Sequence, residues 1–125
     1  MSQLGLIHAA LSTVALLAAA PSQAAGDAVR GAQTYAVSCG SCHAVDTDEV
    51  GPRHAGVVGR RAGSVAGFSY SPALKGSRIT WNQQTLERWL ANPEALVPGQ
   101  AMGYRLADAA ARADVIAYLA TLKRK

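Results

Sequence analysis

A chain of 125 residues accommodates one domain at most. Its 12 Lys/Arg against 8 Asp/Glu leave a formal charge of +4, with no basic run longer than Lys123-Arg124-Lys125. That balance argues against nucleic-acid binding and fits a solubilising charge with mild attraction to acidic partners.

The chain opens on an apolar run. Leu11 to Ala20 is rich in Ala and Leu and too short to span a bilayer as a helix. Pro21 follows, then Ser22-Gln23-Ala24, which puts small residues at both specificity positions of a signal-peptidase site. The preceding segment lacks Lys and Arg. Residues 1–24 are read as a cleaved secretory signal, with an uncleaved membrane anchor as the alternative. Residues 26–125 then form the mature domain. All the Lys, Arg, Asp and Glu lie after residue 25, so it keeps the whole formal charge. At roughly a hundred residues it is near the size at which a single core is stable by itself.

Asp27 can cap a first helix running to about Ser38, with Ala28, Ala32, Tyr35 and Ala36 on neighbouring turns. Gly31 lies on the same side. A glycine inside a helix costs about 1 kcal/mol against alanine. It is either a tolerated weak spot or a place where another helix, the C-terminal one, comes close.

Cys39-Gly40-Ser41-Cys42-His43 follows directly. Two thiols separated by two residues, with an imidazole after the second, form the signature of covalent c-type haem attachment. The thiols add across the two vinyl groups, and His43 is then held under the iron as proximal ligand. Zinc would need two further ligands at zinc-like spacing, and only His54 remains beyond His43. A redox-active dithiol would need a strand before the motif, where the pattern is helical. Because both cysteines belong to the motif, no structural disulfide is expected, which is unusual for an exported domain. The thiols must stay reduced until haem is attached, which implies a dedicated maturation apparatus.

From Ala44 to Lys75 the chain is Gly/Ser-rich with little periodicity and reads as loops wrapping the cofactor. Gly51-Pro52 marks a rigid turn. A ligating histidine usually donates its outer N–H to a carbonyl, and Pro52 is a good source for one. His54, in a loop, is expected at the surface; the other readings place it near the proximal side or make it a competing iron ligand. A second helix is predicted from about Gln83 to Ala91, capped by Thr80 or Asn82 and stopped by Asn92-Pro93. Leu86, Trp89 and Leu90 form its apolar face. Residues 93–106 read as a loop presenting Met102, the only methionine besides Met1 and the expected sixth ligand. A His/Met pair raises the haem potential and suits electron transfer. The last helix is predicted from near Asp108 to about Lys123, with Ala111, Val115, Tyr118, Leu119 and Leu122 at helical spacing. No strand pattern appears, so the expected class is all-α, with three main helices plus haem-wrapping loops.

With these features in place, residues 26–125 resemble class I c-type cytochromes of the mitochondrial and bacterial cytochrome c2 pattern. The residues that carry the resemblance are Gly31, Tyr35, the haem motif, Gly51-Pro52, Gly59-Arg60, Gly67-Phe68-Ser69-Tyr70 and Ile79-Thr80-Trp81. Asn92-Pro93, Pro98-Gly99, Met102 and Ala113 to Leu119 continue it. The resemblance implies that the first and last helices cross at Gly31. It also implies that Tyr70 and Trp81 donate hydrogen bonds to a buried propionate while Arg60 offsets its charge. A carboxylate buried without such partners would be costly. Alternatives are a solvated loop charge for Arg60 and plain core packing for Trp81.

Departures from the family pattern bear on function. Trp89 stands where relatives carry a tyrosine, and its N–H can donate but cannot accept. Gln100 and Leu74 replace a usual threonine and asparagine near Met102, and Tyr104 replaces an aromatic ring, usually phenylalanine, near the haem edge. His54 stands where an apolar residue is usual, with Ala55 where histidine is common. Where relatives ring the haem edge with lysines, this chain has Glu94, Ala95 and Ala101. The implied function is that of a soluble periplasmic one-electron carrier binding one haem c and its iron, not an enzyme. Expected partners are redox proteins, membrane-bound or soluble. A monomer is expected, with no nucleic acid and no stable membrane insertion after signal cleavage. Alternatives are a haem subunit docked to a dehydrogenase and a small peroxidase working after Met102 leaves the iron.

Overall fold

The computed structural model describes residues 25–125, so the reading of residues 1–24 as a signal lies outside it. Five helices follow in order: α1 (Ala28–Ser38), α2 (Pro72–Gly76), α3 (Gln83–Ala91), α4 (Pro93–Leu96) and α5 (Ala109–Leu119). Among the described residues the only strand-like pairing is a single antiparallel bridge, Arg61 with Thr80. No described helix is long and apolar enough to cross a membrane.

Side chains set most of the helix boundaries. Asp27 accepts the Arg30 N–H at 2.8 Å and caps α1. Asn82 and Thr85 form a reciprocal capping box that starts α3, which resolves the choice between Thr80 and Asn82. Asp108 accepts from Ala111 N–H at 2.6 Å and starts α5. Two elements depart from the expected loops. Ser71 accepts from Leu74 N–H at 3.2 Å with Pro72 at the first helical position, giving the single turn α2. Asn92 closes α3 where expected and also caps α4, in which Pro93 opens a separate new turn. The last helix ends at Leu119, four residues before the expected stop, and the chain turns there through Thr121 and Leu122.

α5 packs on α1 and α3. At the α1–α5 crossing, a Cβ on Gly31 would overlap the Asp114 carbonyl and lie 2.9 Å from the Tyr118 Cβ. The glycine therefore serves the close approach. Across the same contact Asp114, which is buried, accepts from Asp27 N–H at 2.7 Å and pairs with the Arg30 guanidinium at 2.8 Å. That pairing holds the Asp114 carboxyl below the usual carboxylate range. Leu86 and Leu90 of α3 join Tyr35, Trp81, Trp89, Val115 and Leu119 in one buried cluster. Burying each such leucine contributes roughly 1.5–3 kcal/mol. Cys39 and Met102 both pack against the edge of this cluster, so segments far apart in sequence meet over one apolar surface.

Candidate functional site: a haem crevice

The motif sits where α1 runs out. Cys39 N–H still bonds back to the Tyr35 carbonyl at 2.8 Å, and His43 N–H to the Cys39 carbonyl at 2.9 Å. Both thiols are free; Cys42 is exposed and Cys39 half-buried. Burial, then the neighbouring Cys42, pushes the Cys39 thiol up to about 11. At neutral pH it is thus a thiol and a poor nucleophile by itself.

His43 is held on several sides. Its Nδ1–H donates to the Pro52 carbonyl at 2.8 Å, as expected. A carbonyl can only accept, so the proton resides on Nδ1 and a neutral ring keeps the Nε2 lone pair free. Burial lowers the His43 pKa, with the Pro52 bond opposing, so the neutral form is favoured. Gly51 packs directly on the ring: a Cβ there would lie 2.5 Å from Nδ1 and 2.6 Å from Nε2. Gly51 is not in the left-handed region, so the site needs its small size rather than its conformational freedom. Gly51 N–H donates to the Cys42 carbonyl at 2.7 Å and ties this turn to the motif.

His54 is not the surface histidine expected of a loop. Backbone bonds from His54 N–H to the Ala44 carbonyl (3.1 Å) and from Ala55 N–H to the Val45 carbonyl (2.8 Å) fold it back beneath the motif. Its ring stacks on His43 with centroids 4.1 Å apart and planes 21° from parallel. Its Nδ1 hydrogen bonds the Tyr35 hydroxyl at 2.9 Å. Burial, followed by His43 and Arg60, pushes His54 down to about 3. Composition of the 44–75 stretch marked it as loop, but only tertiary pairing could show which loop residues turn inward.

The polar residues assigned to a propionate are spread over three short segments. Arg60 is half-buried rather than solvated: its guanidinium donates to the Arg53 carbonyl at 2.9 Å and the Ala55 carbonyl at 3.2 Å. Arg61 beside it is exposed, reaching the Ser77 carbonyl at 3.2 Å. The Tyr70 hydroxyl accepts from Val65 N–H at 3.1 Å, which leaves its proton free to donate. Trp81 is buried. Its ring lies 5.3 Å from that of Trp89, tilted by 58°. Trp89 is also buried, in the common core.

Met102 is half-buried on a loop that has its own fastening. Gln100 Oε1 accepts the Met102 N–H at 2.5 Å, and Glu94 accepts from Gly99 N–H at 2.9 Å and from the Gln100 amide at 3.3 Å. Glu94 is therefore a loop clasp as well as a surface charge. Arg112 holds the far end of the segment, donating to the Leu106 and Ala107 carbonyls at 2.8 Å while pairing with Glu87. The sequence assigns no tethering role to Arg112 or to Asp114, because nothing in their local pattern separates a tethering charge from a solvated one. Met102, Gly103, Tyr104 and Arg105 line a cavity of about 200 Å³ with Pro93, Glu94 and Gln100.

These features fit a c-type haem. Two free thiols stand beside a neutral, oriented imidazole, and a thioether borders the apolar cluster that Cys39 also packs against. Among the described residues no group of three or more His, Cys, Asp or Glu is placed to hold a metal ion.

A family model described as cytochrome c matches residues 28–123. The cytochrome c2 of Rhodomicrobium vannielii is 45% identical over 119 residues, covering 92% of this chain and 94% of its own. The solved structure of cytochrome cH from Methylobacterium extorquens superposes with a TM-score of 0.73 at 43% identity, over 77% of this chain and 99% of that one. Ferricytochrome c2 from Rhodopseudomonas palustris gives the same TM-score at 38% identity, over 78% and 99%. Matched in sequence and fold from α1 through α5, the chain belongs to the cytochrome c family, electron carriers that bind haem c covalently.

Proposed function

We propose that the protein is a soluble, monomeric, periplasmic electron carrier whose haem c is held by Cys39 and Cys42 and ligated by His43 and Met102. One observation carries this proposal: the His43 ring fixed by the Pro52 carbonyl and Gly51, with Nε2 free, beside two free thiols. When bound, the haem supplies a one-electron Fe(III)/Fe(II) couple. The protein's part is to hold and shield it. The Pro52 carbonyl fixes the tautomer and direction of His43. Gln100 and Glu94 fasten the loop that carries Met102, which with His43 would hold the iron and leave no open site for a substrate. Tyr70 and Trp81 offer N–H and O–H donors to a buried propionate, and Arg60 offsets its charge. Trp89 forms an apolar wall against Trp81. Electrons pass through the exposed edge to redox protein partners, and neither nucleic acid nor stable membrane insertion is involved. Residues 1–24 act as the export signal that delivers the 26–125 domain to the periplasm.

A redox titration followed optically tests this directly. One reversible one-electron transition is expected, with low-spin spectra in both states. A high-spin ferric form that turns over peroxide would instead make the protein an enzyme.

A further inference from the structure

His54 has no part in the proposed ligation, yet it is the ring nearest the proposed ligand. It is stacked on His43 at 4.1 Å, and its Nδ1 is tied to Tyr35. Each face of a porphyrin leaves its iron one axial position, so an imidazole stacked on the proximal ligand has no coordination site of its own. Its contacts instead lead into the rigid core. Tyr35 is buried, lies 5.2 Å from Tyr118 of α5, and stands one turn from the Gly31 crossing. His54 is pinned through its backbone to Ala44, next to the motif. The His43 ring is thus gripped at three points: Pro52 at Nδ1, Gly51 against the ring, and His54 on its face.

Pro52 and Gly51 fix the direction of Nε2. A single hydrogen bond at Nδ1 leaves rotation about the coordination axis softer, and a stacked plane opposes that rotation because turning the ring destroys the overlap. Resting on the ligation proposed above, we infer that His54, braced by Tyr35, is a positioning residue that sets the rotational orientation of the His43 imidazole. An apolar side chain would fill the same space without a hydrogen bond to hold a preferred plane.

The ferric holoprotein gives a readout that mere packing would not move. The orientation of an axial imidazole plane determines how unpaired spin is distributed among the haem methyl groups, which proton NMR reads as their hyperfine shifts. Tyr35→Phe removes the hydroxyl alone and His54→Leu removes the stacked ring. Both should change the pattern of methyl shifts while the covalent haem and the sulfur-to-iron charge-transfer band persist. The double variant should change it no further than His54→Leu does, because the two residues act as one unit. His54→Asn, which restores a polar partner for Tyr35, should move the pattern part of the way back. An unchanged pattern in His54→Leu, or effects of the two single variants that simply add, would overturn the inference while leaving the ligation intact. A wild type with no low-spin His/Met spectrum would overturn the ligation itself, and this inference with it.

Discussion

Gly51→Ala places a methyl group against the ring on which the whole site depends. Its Cβ would lie 2.5 Å from His43 Nδ1 and 2.6 Å from Nε2, where ordinary contact begins at 3.4 Å. The Cβ would come closer still to Cε1, so the ring must retreat by more than the 0.9 Å (3.4 minus 2.5) that Nδ1 alone requires, or the turn must open. Either movement breaks the 2.8 Å bond to Pro52. Losing that bond costs about 1 kcal/mol, and overpacking a tight site adds about 1–3 kcal/mol. The stiffer unfolded chain of the alanine variant gives back about 0.4–1 kcal/mol. A net loss of about 1–3.6 kcal/mol remains, which at about 4–8 °C per kcal/mol for a domain of this size lowers Tm by roughly 4–29 °C. Thermal unfolding of the holoprotein by far-UV circular dichroism measures it, with the charge-transfer band recorded in parallel. Gly76→Ala is the control, since a Cβ there meets nothing within 4 Å and its backbone is not left-handed. Gly51→Ala with wild-type Tm and an unchanged spectrum would refute the claim that Gly51 makes room for the ligand.

Gly31→Ala should lose about 1–3 kcal/mol by forcing α1 and α5 apart, despite alanine's better helix propensity; an equal or higher urea midpoint would contradict the crossing. Asp114 has a folded pKa below its ordinary value, so its stabilising effect is complete above about pH 4 and fades as pH falls through the depressed value. Wild type and Asp114→Asn should accordingly differ in stability at pH 7 and converge in acid, and a gap that persists to low pH would remove the ion pair from the account. Electron transfer to the natural acceptor should depend only weakly on ionic strength, because Glu94, Ala95 and Ala101 stand in place of a lysine ring and surface charges are screened over about 10 Å at 0.1 M salt. Glu94→Lys would also break the Gly99 and Gln100 bonds. Ala95→Lys with Ala101→Lys, both exposed, is the cleaner variant and should steepen the salt dependence in stopped flow; a steep wild-type decline would reveal a basic face elsewhere.

The residues legible in the sequence were those whose role is written in a short spacing. Cys39, Cys42 and His43 declare themselves within five positions, and Asp27, Asn82 and Asp108 announce helix starts through their own side chains. Ser71-Pro72 carried the same kind of signal for α2, a cap followed by a first-turn proline, but one turn of helix is too short to show periodicity. Asn92-Pro93 does stop α3 at Ala91 as expected, but the same proline also begins α4, a turn too short to show periodicity. His54 and Asp114 lay beyond local reasoning. Each is polar, each sits in a pattern compatible with solvent, and each is drawn inward by a partner 19 or more positions away, Tyr35 and Arg30. Glu94 shows the same limit: its charge was plain, but its bonds to Gly99 N–H and the Gln100 amide were not.

Met102 is the test of the central claim, because a His/Met pair distinguishes a sealed electron carrier from a haem with an open coordination site. The measurement is the visible spectrum of the ferric holoprotein, wild type beside Met102→Ala, with acid–organic extraction of each. The wild type should show a sulfur-to-iron charge-transfer band, Met102→Ala should lose it, and both should retain their haem on the chain. A wild type without the band, a band that survives in Met102→Ala, or haem that extracts freely would contradict the account.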